Sequence, residues 1–171
     1  MQTYCDRPAN FTELIDKNVR MLVRDIDTLI HLGDVGIGKF EDWKDIIPGW
    51  KCRKVLVRGN HDEKHSCQWW MDKGGFDFAC DAMIYRGMWL THKPAKSLPE
   101  GCVYNIHGHL HNIWHGFHPG DYNDQQKKLF NPWQRLFAIE YTNFQPVEFD
   151  HFISHPDKYL ARGLPNDGTK G

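Results

Sequence analysis

One arrangement recurs four times in this chain of 171 residues: a short apolar run, then a polar cluster built from Asp, Asn or His. "TLIHLGD" ends at Asp34, "KVLVRGNHD" reaches Asn60 and His61, "MWLTH" ends at His92, and "CVYNIHGHLH" carries His107, His109 and His111. Short apolar runs bounded by turn residues read as buried strands that open into loops. In sheet-based α/β proteins ligands collect in the crevice outside the strand ends, so four such ends can converge on one site. Gly33, Gly59 and Gly108 stand beside these clusters, where tight turns and close backbone approach are needed.

The rest of the chain fits one α/β domain over residues 1–160 with a loose tail over 161–171. Phe11, Leu14, Ile15, Val19, Leu22 and Val23 recur at helical spacing. Asn10 and Glu13 have the spacing of a capping box at the start of that helix. "EDWKDIIPGW" reads as a short helix stopped by Pro48, and "SCQWWMDKGGF" as a helix ending at Gly74 and Gly75. "DAMIYRGMWLTHKP" reads as two strands joined at Arg86 and Gly87, with "RLFAIEY" and "QPVEFDHF" as further strands.

Lys plus Arg (21) balances Asp plus Glu (22), so bulk charge calls for neither a nucleic acid nor a membrane as partner. No apolar run reaches the ~20 residues of a membrane span, and the N-terminus has no signal-peptide pattern. The five cysteines make no C-x-x-C pair. That disfavours a disulfide framework and a thiolate zinc site, and points to a reducing, cytoplasmic setting.

A donor set of carboxylate, amide oxygen and imidazole suits borderline divalent metals such as Mn, Fe, Zn or Ni, and does not suit calcium. Each residue also has a plainer reading. Asp34 can serve as a turn residue or helix cap, Asn60 as an Asx turn, and His109 and His111 as histidines of a solvated loop. His92 can be an ordinary strand-end histidine. His31 reads as structural and His107 as a buried hydrogen-bonding group, while His115 and His118 read as surface loop residues. The paired tryptophans read as packing. Lys51, Arg53, Lys54, Arg58 and Lys93 could draw in a phosphate, or simply be solvated.

"GDVG", "GNHD", a strand-terminal "TH" and "GHLH", in that order, resemble the calcineurin-like metallophosphoesterase superfamily over roughly residues 4–149. "YCDRP", "HLGDV" and "NIHGHLHN" are similar to its small bacterial and phage branch. The resemblance implies an α/β fold, a metallophosphoesterase-type β-sandwich flanked by helices, around a two-metal centre. Carried over by motif, Asp34 would bridge both metals; Asn60, His92 and His109 would complete the second metal's shell; His111 would bind the first. His61 would stand near the leaving-group oxygen as general acid or phosphate contact. Paired cations of this kind clamp phosphoryl oxygens and lower the pKa of water between them.

One motif departs from the pattern. The family's Asp-x-His, at the end of its first strand, occurs nowhere in this chain: no Asp has His two positions later. The first strand is therefore expected to be missing, leaving unpaired backbone and apolar surface at a sheet. A start at an internal methionine would account for this, and so would compensation within the chain. Two functions follow from the sequence: a phosphoesterase acting on a phosphomonoester or on a diester, nucleotides and nucleic-acid ends included, or a catalytically silent metal-binding scaffold. A third arrangement has a partner subunit supply the missing ligands.

Overall fold

The apolar runs become the strands of two facing sheets. The computed structural model describes residues 7–35, 43–110 and 133–155. One sheet is parallel and holds β1 (Thr28–His31), β2 (Arg53–Val57) and β3 (Phe78–Cys80), in that order. The other holds β4 (Ala82–Tyr85), β5 (Met88–Thr91), β6 (Tyr104–His107) and β7 (Gln134–Leu136), in that order. Within it β4 and β5 are antiparallel, while β5, β6 and β7 run parallel.

Alternation along the strands places the core. Val57 of β2 packs with Leu90 of β5, Ile106 of β6 and Phe152, so this layer lies between the sheets. Its neighbour Leu56, fully buried, points the other way, into a second layer with Val19, Ile47, Trp50, Trp70 and Phe76. Full burial of a leucine is worth roughly 2–3 kcal/mol.

That second layer is closed by two helices. α1 (Phe11–Leu22) turns Ile15 and Val19 to the sheet at i and i+4, and Val23, the extended residue that caps it, packs there too. Its buried Asn18 donates to the carbonyls of Asn143 and Phe144. The expected cap at Asn10 is not made: the side chain caps nothing, and Asn10 has φ −99 and ψ 27. α2 (Cys67–Asp72) is capped as its sequence suggests, with Ser66 Oγ accepting from Trp69 N at 3.1 Å. Arg86 (φ 50) and Gly87 (φ 75) make the two-residue turn between β4 and β5.

Several elements differ from the sequence reading. "EDWKDIIPGW" forms successive turns over residues 43–49, because Pro48 and Gly49 leave too few residues to sustain a helix. "QPVEFDHF" yields the helix α3 (Phe149–Ser154), not a strand. Phe149, Phe152 and Ile153 pack toward the sheets at helical spacing, and the alternation that suggested a strand is lost. "RLFAIEY" is divided between β7 and a 3-10 helix, Ile139–Thr142. β3 had no counterpart in the sequence reading, because three residues are too few to display a period.

β1 is an edge of its sheet, with no neighbouring strand on its outer side among the described residues. A cleft of about 1000 Å³ lies along it, lined by α1, β1, residues 137–140 and, at one end, Asp34, His92 and His109.

Candidate metal centre

Four strand ends meet at that end of the cleft. Asp34 follows β1, Gly59 to His61 follow β2, and His92 follows β5, with Gly108 and His109 just past β6. The loops are in van der Waals contact. A Cβ on Gly33 would lie 2.7 Å from both Gly59 Cα and His92 Nδ1, and a Cβ on Gly59 would strike the Asp34 carboxylate. Gly33 also has φ 92, so its lack of a side chain serves both the turn and the close approach.

Asp34 (φ 55) and His109 (φ 66) occupy the left-handed region, which costs a non-glycine residue of order 1–2 kcal/mol. For Asp34 the compensation is visible. The Asp62 carboxylate, nearly inaccessible to solvent, accepts from Asp34 N at 2.7 Å, Val35 N at 3.1 Å and Gly59 N at 2.8 Å. One buried side chain therefore ties the loop after β1 to the loop after β2. The motif "GNHD" by itself gives Asp62 no role; an acidic residue that ends a strand-end motif is the only signal it carries.

His92 is oriented from both sides. Its Nδ1 donates to the Leu32 carbonyl at 2.7 Å. Its Nε2 lies 3.2 Å from Asp34 Oδ2 and 3.0 Å from His109 Nδ1. A histidine whose far nitrogen is committed to a carbonyl has a fixed tautomer, the usual arrangement for a metal ligand. One donor atom each from Asp34, His92 and His109 lie within 4.8 Å of one another.

The electrostatics favour positive charge where these donors meet. Burial pushes the Asp34 carboxyl up, but bonds from the His92 ring and the His61 N–H prevail and hold its pKa at about 2. Burial pushes His92 down, and its bonds to Asp34 and the Leu32 carbonyl outweigh this, leaving it above the ordinary histidine value.

The remaining residues fall into place unevenly. Asn60 lies in the same loop cluster, and its Oδ1 is buried with no hydrogen-bond partner. A buried acceptor without a donor calls for explanation, and a cation supplies one. His61 is exposed, and its main-chain N–H donates to Asp34 Oδ1 at 3.0 Å. His111, His115 and His118 lie outside the described residues. His107 is fully buried, its Nδ1 within 3.1 Å of the Gly108 carbonyl, and burial pushes its pKa down to about 4. His31 serves the turn, accepting from Gly33 N at 3.1 Å. Trp50 and Trp70 are core residues, and Trp69 stacks on His65. Of the basic residues, Lys54 is buried against the carbonyls of Trp50 and Cys52. Arg58 binds Asp81 and the His65 carbonyl. These two cations act within the fold.

This two-sheet α/β fold brings donors of Asp34, His92 and His109 together at its strand ends, with Asn60 in an adjoining loop, and such donors fit a borderline divalent transition ion. The chain belongs to the calcineurin-like phosphoesterase family, whose model matches residues 5–169. Membership implies divalent metal ions and phosphoester hydrolysis as the kind of chemistry. No curated protein matches the chain. A solved structure of a protein of unknown function from Aquifex aeolicus is similar, with a TM-score of 0.61 and 21% identity, covering 90% of this chain and 88% of that one. That likeness shows the fold.

Proposed function

We propose that the chain is an active metal-dependent phosphoesterase that hydrolyses a phosphomonoester or phosphodiester. The observation that carries this reading is the convergence of Asp34 Oδ2, His92 Nε2 and His109 Nδ1 at the end of an open cleft. The partnerless Asn60 Oδ1 in the adjoining loop supports it. Asp34, Asn60, His92 and His109 would hold one ion, and His111 with Asp34 a second. When bound, such ions supply Lewis acidity toward phosphoryl oxygens and lower the pKa of coordinated water.

The chain's own residues set the conditions for that chemistry. Asp34 stays ionised throughout the neutral range because its carboxyl titrates near 2. Leu32 holds the His92 tautomer that leaves Nε2 directed at Asp34. His61, exposed and bonded to Asp34 through its main-chain N–H, would donate a proton to a leaving oxygen or hold a phosphate. The substrate range includes nucleotides and nucleic-acid ends. The described cysteines, Cys52, Cys67, Cys80 and Cys102, are free, which fits a reducing compartment such as the cytoplasm. Among the described residues no helix is long and apolar enough to cross a membrane.

A silent metal-binding scaffold is the second reading. The absence of Asp-x-His from the sequence favours it, because it leaves the first metal with two of its expected ligands; the edge position of β1 among the described strands agrees. Hydrolysis of bis-p-nitrophenyl phosphate with added Mn, beside an Asp34→Ala variant, separates the two. Turnover lost in the variant supports the enzyme; Mn binding without turnover by folded protein supports the scaffold.

A further inference from the structure

Behind His92, on the face of the second sheet turned away from the sandwich core, lies a fully paired amide. Trp89 and Thr91 of β5 share that face with Asn105 of β6 and Gln134 of β7, while Leu90 and Ile106 point inward. Asn105 is completely buried. Its Nδ2 donates to the Trp89 carbonyl and to Thr91 Oγ1, both at 2.8 Å, and its Oδ1 accepts from Ala95 N at 2.9 Å. Gln134, the register partner of Asn105, donates Nε2 to the Ala95 carbonyl at 2.8 Å. Thr91 Oγ1 in turn donates to the Lys93 carbonyl at 2.6 Å.

The peptide groups on either side of Ala95 are thus held by two side chains, and the start of the segment by a third. His92 is the first residue of this segment beyond β5. It lacks strand pairing of its own, apart from its carbonyl, which accepts from Gly108 N at 3.0 Å. Pro94 offers no N–H, so the backbone between His92 and Ala95 cannot tie itself down by a local ladder. Side chains do it instead. Only an amide presents two donor hydrogens and an acceptor at one end. An aspartate would set oxygen against the Trp89 carbonyl, and a leucine would leave all three partners unmatched.

We infer that Asn105 is a positioning residue of the metal centre. Together with Gln134 it fixes the segment Thr91–Ala95, and so the direction in which His92 presents Nε2 to Asp34 and His109. The inference rests on the metal-centre reading for the purpose of that alignment. Asn105 touches neither the ligand atoms nor the cleft; it acts through the backbone on either side of His92. Loss of an orienting group behind a metal-ligating histidine costs about 10–100-fold in metal affinity.

The test is calorimetric titration of the full chain with Mn, together with thermal melting of the metal-free protein and amide exchange at Ala95. Variants Asn105→Leu and Gln134→Met are compared with Asn18→Leu, a buried asparagine that ties α1 to the turn at Asn143 and Phe144. The expected result is Mn binding weakened about 10–100-fold in Asn105→Leu and less in Gln134→Met, with faster exchange at Ala95. Asn18→Leu should lower the melting temperature and leave Mn affinity unchanged. Unchanged affinity in Asn105→Leu, or equal weakening in Asn18→Leu, would overturn the inference. If Asn105→Leu does not fold, Gln134→Met and Thr91→Val decide by the same measurements. An unaltered chain that binds no Mn would sink the metal-centre reading and this inference with it. Binding by the unaltered chain that is lost in Asp34→Ala upholds the centre whatever Asn105 does.

Discussion

His92 Nε2 lies 3.2 Å from Asp34 Oδ2 while the same ring donates through Nδ1 to the carbonyl of Leu32, two residues before Asp34. One imidazole thus grips both the loop that delivers the carboxylate and the carboxylate itself. Asp34→Asn keeps the shape and removes the charge. Mn binding should fall by at least the roughly 10–100-fold that an orienting partner alone contributes. Unchanged affinity by calorimetry would show that the ion, if any, binds elsewhere.

Asp62 bears on stability and site together. Asp62→Asn turns an amide N–H₂ toward main-chain donors that now meet a carboxylate. The expected loss is about 2–4 kcal/mol, since hydrogen bonds to a charged acceptor are the strong ones and their donors stay buried. Urea unfolding measures it. A midpoint equal to the unaltered chain's would mean that the loops hold without this carboxylate.

Asn60 should show the opposite balance. Its buried Oδ1 carries a desolvation cost of about 1–3 kcal/mol with no hydrogen bond in return. Asn60→Leu should therefore leave the metal-free protein as stable or more stable, yet abolish the rise in melting temperature that Mn gives the unaltered chain. A variant that Mn still stabilises to the same extent would remove Asn60 from the ligand set.

Acid should weaken the metal-free fold through His107. Its folded pKa of about 4 lies below the ordinary histidine value of 6.5, so the unfolded chain binds the proton first. Stability is complete above about pH 6.5 and falls as pH drops toward 4, by about 3 kcal/mol from this group. His31, pushed down by burial, acts in the same sense. His92, raised above its ordinary value, acts in the reverse sense: its contribution is present at low pH and lost as pH rises. Asp34 contributes until pH falls below about 4. Comparing urea midpoints at pH 7 and pH 4.5 for the unaltered chain and His107→Phe isolates the first effect. Parallel shifts in both would refute it.

The clustering of site residues at strand ends was legible because β-strands write their position into local sequence. "TLIH", "RKVLV", "MWLT" and "YNIH" are strands where the apolar runs predict them, and the polar residues after each lie at the loops. Helices with strong periodicity or a cap, α1 and α2, were equally readable. The short elements were not. β3, the turns at 43–49 and α3 owe their form to what they pack against, because three to seven residues carry too little propensity to choose a state.

Sequence by itself determined the donor types, the order of the motifs and the glycines that let loops touch, because these are properties of residues and spacing. Tertiary structure alone decided which donors meet: Asp34, His92 and His109 are far apart in sequence and within 4.8 Å in space. It alone gave Asp62 its role at the end of "GNHD", and it alone disclosed Asn105, whose sequence neighbours carry no mark of it. A buried carboxylate that binds three main-chain N–H groups, or an amide that pins Ala95, depends on where other backbones run. Those positions are set by the packing of two sheets, which no local pattern encodes.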